Sequence, residues 1–185
     1  MRRVLFPLCL VVVVGLLSAC NGPRVAPNTG RTTFLEGFYQ YGAGGRDLAL
    51  EVRGNPFAPA DKPALDALVE SAADQSGILR PPTRPRLQPG DSAKPNYKLV
   101  VQFSRGGLLL AQDLCDGRPD AAGNHDSEVT VVMAFCVSGR AVSDATGWIS
   151  PTSLNDPDLP LLIKRMELEL FRPDNSLDGS GGNTP

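Results

Sequence analysis

The chain has 185 residues, 18 of them basic and 20 acidic, for a formal net charge of −2. That length suits one domain with tails rather than several domains. The near-balanced charge, with no basic cluster or stripe, argues against a nucleic-acid partner.

Arg2 and Arg3 precede an apolar run from Val4 to Leu17, broken only by Pro7 and Gly15. Ser18 and Ala19 are small, as cleavage by a signal peptidase requires. Val4 to Ala19 covers 16 residues, short of the roughly 20 that cross a bilayer core. Residues 1–19 therefore read as a removable signal rather than a permanent span. Twin-arginine export is the weaker reading, because adjacent arginines occur in any such leader.

Leu17-Ser18-Ala19-Cys20 resembles the lipobox of bacterial lipoproteins. The resemblance implies cleavage before Cys20, with a diacylglycerol thioether and an acylated amino group on that residue. Several acyl chains on one residue anchor durably, since each buried CH2 contributes about 0.8 kcal/mol and one chain alone is marginal. Asn21 follows, not the aspartate that marks inner-membrane retention in enteric-type sorting, so the resemblance points to the periplasmic side of the outer membrane. The alternative is an ordinary secretory leader with a cysteine beside it.

Asn21 to Arg31 is rich in Pro, Gly, Asn and Thr and reads as a tether. With the segment "TFLEGFYQYGAGG" it makes up a lipidated region over residues 20–45. Phe34, Phe38, Tyr39 and Tyr41 crowd together in a chain that is only 6% aromatic, as a first strand or flap on the core or as candidate partner-binding residues. The domain proper is expected over residues 46–172. Asp47 to Arg53 alternates Leu48, Leu50 and Val52 with Asp47, Glu51 and Arg53, a half-buried strand with ordinary outward charges. Asp61 starts a helix to about Gln75, with Leu65, Leu68, Val69 and Ala72 on one stripe and Gly77 at its end. Arg80 to Pro95 carries five prolines, which exclude a helix or a central strand. It reads as an extended surface connector, or as a docking ligand for a grooved partner.

Tyr97 to Ser104 alternates clearly. Val129 to Val137 is almost wholly apolar and β-branched, a central strand covered on both faces. Ser138-Gly139-Arg140 turns it into a weaker strand, Ala141 to Ile149, as a hairpin. Asp156 or Asp158 caps a second helix to about Phe171, with a stripe of Leu159, Leu162, Ile163, Met166 and Leu170. Asn175 to Pro185 is Gly-, Ser- and Asn-rich, and residues 173–185 read as a disordered tail.

Of four cysteines, Cys9 leaves with the signal and Cys20 carries lipid. Cys115 and Cys136 remain as an even pair in an oxidising compartment, and a disulfide between them is expected. Separate thiols and a metal or redox pair are the alternatives, but the spacing is not CxxC and no ligand cluster accompanies it.

The expected fold class is α+β: a two-layer α/β sandwich with a mixed four- to five-stranded sheet and two helices on one face. The strands at Asp47 and Tyr97, joined by a right-handed crossover, should be parallel. An antiparallel pairing of the strands at Tyr97 and Val129 would put Cys136 far from Ser104. Residues 105–115 would then have to double back, within an extended reach of roughly 35 Å. The antiparallel pairing is therefore possible, and a parallel pairing removes the difficulty.

His125, the sole histidine, lies in an acidic loop with Asp116, Asp120, Asp126 and Glu128. Its spacing misses a calcium loop, and it reads as a solvated acidic segment. Nucleophile, metal and phosphate-loop motifs are absent from the sequence, so no enzymatic activity, no metal and no cofactor are expected. Trp148 reads as core or sheet rim. The short lipid tether, the small α/β domain, and the Phe135-Cys136 strand followed by Gly139-Arg140 and a final amphipathic helix resemble small envelope lipoproteins of Gram-negative bacteria, a likeness that carries no activity with it. Two function classes follow: a lipid-anchored accessory or assembly factor with an envelope protein partner, and a periplasmic small-molecule or glycan binder using the sheet face near Trp148.

Overall fold

The computed structural model describes residues 22–26, 32–74, 81–106, 109–118 and 128–172. In chain order the elements are β1 (Arg24–Ala26), α1 (Leu35–Gly42), β2 (Asp47–Arg53), a 3-10 turn (Pro59–Asp61) leading into α2 (Lys62–Asp74), β3 (Arg84–Arg86), β4 (Tyr97–Ser104), α3 (Ala111–Asp116), β5 (Val129–Val137), β6 (Arg140–Ile149) and α4 (Asp158–Leu170). The class is α+β, with one mixed sheet of six strands in the order β1-β6-β5-β4-β2-β3.

β2 and β4 are parallel, as the crossover through α2 requires. β5 and β6 form the expected hairpin, with a register shift between Phe135 and Cys136. Six strands exceed the expected four to five, and two of them are short edge strands. β3 pairs parallel to β2 inside the proline-rich connector, and Pro85 is tolerated there because an edge strand leaves one row of amides unpaired. β1 pairs antiparallel to the end of β6, so Arg24 to Ala26 is sheet and not free tether.

Alternation on β4 and β5 divides two cores. Leu99, Val101 and Phe103 on β4 and Val131, Met133 and Phe135 on β5 enter the larger one with residues of α1, α2 and α4. Val100, Val132, Ala134 and Cys136 enter a smaller one on the opposite face with Leu114 and Cys115 of α3. Three helices therefore serve one face and a fourth, short one the other, where two helices on a single face had been expected. β5 is buried on both sides, as its apolar run implied.

The pairing that the sequence left open is that of β4 and β5. They are antiparallel, from Tyr97↔Val137 to Ser104↔Thr130. The chain does double back: after Ser104 it returns along the second face and lays α3 over it. Cys115 and Cys136 meet there as a disulfide, Cα atoms 5.5 Å apart. The smaller apolar cluster makes that return favourable, because Val100 and Val132 would otherwise face water. Arg53 is no ordinary outward charge either. Its Nη1 donates to the Leu114 carbonyl at 2.9 Å and ties β2 to α3.

Candidate functional site

α1 is a helix where a strand or flap was expected. Leu35, Tyr39 and Gly42, spaced i, i+4, i+7, are its buried residues. The same spacing from Phe34 aligns Phe34, Phe38 and Tyr41 on a neighbouring stripe. Phe38 leans on the core, while Phe34 and Tyr41 are 73% and 60% exposed, the two largest values among exposed large hydrophobic side chains of the described residues. Three of the four aromatic residues singled out from sequence thus share a surface stripe.

Tyr39 does not. It is buried, its ring centroid 5.0 Å from that of Phe171, and its hydroxyl donates to the Pro81 carbonyl. Burial first, and then the nearby Glu167 carboxylate, push its phenol above the ordinary tyrosine range. Its role is to fasten α1 so that the other stripe is presented. Gly42 fastens the other end: a Cβ there would lie 1.9 Å from the Tyr97 ring, so only glycine lets that ring close on the helix.

Two side chains complete the exposed stripe. The Tyr97 ring lies 5.8 Å from Tyr41, and the Lys94 ammonium stands 5.1 Å over the Tyr41 ring. Neither was legible in sequence, because both come from a connector and strand more than fifty positions away. Rings continue inward from Tyr97 to Phe135 and from Phe135 to Phe171. The exposed aromatics therefore rest on a rigid aromatic base.

The stripe lies at the opposite end of the sheet from the start of the described chain. Arg24 pairs with Trp148 and Ala26 with Thr146, whereas the Thr32 amide, just ahead of α1, donates to the Val142 carbonyl. The interval from Trp148 to Val142 is about 20 Å at about 3.3 Å per strand residue.

Elsewhere, titratable groups do not converge. Partial burial opposes the charge of Glu51, but hydrogen bonds from Lys98 and Arg53, and the charges of both, outweigh it and hold its carboxyl below the usual range. Asp144 on β6 is raised by burial alone. Asp156 is lowered, first by the Asp158 amide and then by the Thr152 amide. Among the described residues no three His, Cys, Asp or Glu side chains gather as a metal would need. Asp116 accepts from Gln112 and pairs with Arg118; Glu128 pairs with Arg24. His125, Asp120, Asp126 and Cys20 lie outside the described residues. The connector's described arginines are held internally, Arg84 by Asp47 and Arg86 by Asp74. No helix among the described residues is long and apolar enough to cross a membrane.

Compared with protein families and with curated proteins, the sequence matches none. Among solved structures, two of a PelC dodecamer from Paraburkholderia phytofirmans align with a TM-score of 0.42 and 15% identity, over 80% of this chain and 95% and 96% of theirs. At that score and identity the likeness carries no statement about activity or assembly.

Proposed function

We propose that this chain is a lipid-anchored lipoprotein of the outer membrane that acts without catalysis, as an accessory or assembly factor docking an envelope protein through the α1 stripe. The observation that carries the docking part is the exposure of Phe34 and Tyr41 on a helix fixed from behind by Tyr39 and Gly42. Exposed aromatics on a rigid base are the residues that anchor protein interfaces, since they bury much area with little loss of rotamer freedom. The resemblance of Leu17-Ser18-Ala19-Cys20 to a lipobox supports the anchor. The Cys115–Cys136 disulfide supports an oxidising compartment.

Two measurements test the reading. Cys20→Ala is expected to abolish incorporation of labelled palmitate and leave an uncut precursor; label retained on that variant rejects the anchor. A photo-crosslinking amino acid at position 41, irradiated in intact membranes, is expected to give one discrete protein adduct. Lipid adducts or none would reject α1 as the docking element.

A further inference from the structure

The end of the sheet that carries β1 has a different chemistry from the α1 end. The Arg24 guanidinium lies 5.9 Å from the centroid of the half-buried Trp148 ring, and it also pairs with Glu128. Arg165, exposed on α4, donates from Nη1 to the Pro23 carbonyl at 3.0 Å. One helical turn earlier, Leu161 is 38% exposed. No carboxylate among the described residues pairs with Arg165. Resting on the lipid-anchor reading of Cys20, we propose that this end is a membrane-contact surface, with Arg24, Trp148 and Arg165 seated among phospholipid headgroups and their phosphates.

Chain length makes the argument. Pro23 is already held by Arg165 and Arg24 already lies in the sheet. The slack between lipid and fold is therefore the step from Cys20 to Pro23, at most about 10 Å when extended. That is close to the Debye length of about 8 Å at physiological ionic strength, so charges at this end act on the headgroups while α1, about 20 Å farther along the sheet, does not. The residue types fit the occupant. Tryptophan settles at the membrane–water boundary with its ring in the apolar side and its N–H wet. Guanidinium groups pair with phosphate oxygens in a fork. With β1 held down there is no long tether to let the domain swing, so the contact orients the whole molecule with its aromatic stripe away from the bilayer.

Trp148 is the single tryptophan of the chain, so its fluorescence reports this end alone. The full lipidated protein would be reconstituted into phosphatidylethanolamine–phosphatidylglycerol vesicles carrying acyl-brominated phospholipid. Trp148 is expected to lose most of its emission to the bromolipid and to resist aqueous iodide. The double variant Arg24→Glu/Arg165→Glu, with palmitate incorporation and circular dichroism unchanged, is expected to lose bromolipid quenching several-fold and become open to iodide. Palmitate-labelled protein whose Trp148 is quenched by iodide and not by bromolipid overturns the contact surface and leaves the anchor standing. Charge reversal that leaves both quenching patterns unchanged overturns the contact surface in the same way. Absence of palmitate on the parent chain overturns the anchor, and the contact surface with it.

Discussion

Gly54 has φ +68°, and a Cβ built on it would lie 2.1 Å from the Phe103 carbonyl oxygen. The chain leaves β2 there in a conformation that other residues adopt at a cost, against backbone that cannot step aside. Gly54→Ala is expected to cost about 2–4 kcal/mol from the left-handed conformation and the overpacking together, read as a lower midpoint in urea unfolding. Glu51 offers a pH test. Its depressed carboxyl contributes stability that is fully present above the ordinary glutamate range and is lost as pH falls through the lowered value. Glu51→Gln should therefore be less stable than the parent at neutral pH, and the gap should close as the medium is acidified below that range. A gap that stays constant with pH would show that the ion pairs with Lys98 and Arg53 add nothing. The charges of Asp47, Glu51 and Arg53 were readable as one strand face. Their partners were not, because Arg84, Lys98 and Leu114 reach them only across the folded sheet.

At the scale of elements, α3 shows what a local pattern cannot carry. Six residues long, it would not persist as an isolated helix, since helices under about 12 residues are marginal in water. It is held by the disulfide, by Leu114 in the small core, and by Arg53. Cys115→Ala/Cys136→Ala is expected to cost roughly 3 kcal/mol through the loop entropy released to the unfolded chain. Amide exchange should rise first in α3 and in the smaller core over β4 and β5, with the larger core protected longer. Uniform exchange across both faces would contradict this division. α1 illustrates the reverse problem. Its helical period was present in Leu35, Tyr39 and Gly42, but aromatic density resembled a strand, because aromatics favour both strands and buried helix faces. The folded chain takes the helix, with Gly42 packed against the Tyr97 ring. α2, α4 and the β5–β6 hairpin were plain from sequence because their apolar periods were long and unambiguous.

For the molecule as a whole, the two ends of the sheet have separate tasks in the proposed reading: a basic, tryptophan-bearing end next to the lipid and an aromatic stripe about 20 Å away. Phe34→Ala/Tyr41→Ala is expected to leave thermal stability within about 0.5 kcal/mol of the parent, as exposed positions do. It should also abolish the crosslinked adduct obtained from neighbouring positions of α1. A large stability loss would mean instead that these rings belong to the core. The sequence by itself determined what depends on neighbours along the chain: the α+β class, the parallel β2–β4 pair, the buried central strand and the two long amphipathic helices. The pairing of Cys115 with Cys136 was also within its reach, by elimination among four cysteines. Only the tertiary structure decided the antiparallel β4–β5 pairing, the return of α3 over the second face and the capture of β1 by β6. It also decided which aromatics of α1 point outward. Each of these is a contact between residues far apart in sequence, set by how much apolar surface the rest of the fold leaves uncovered, and no local period encodes that.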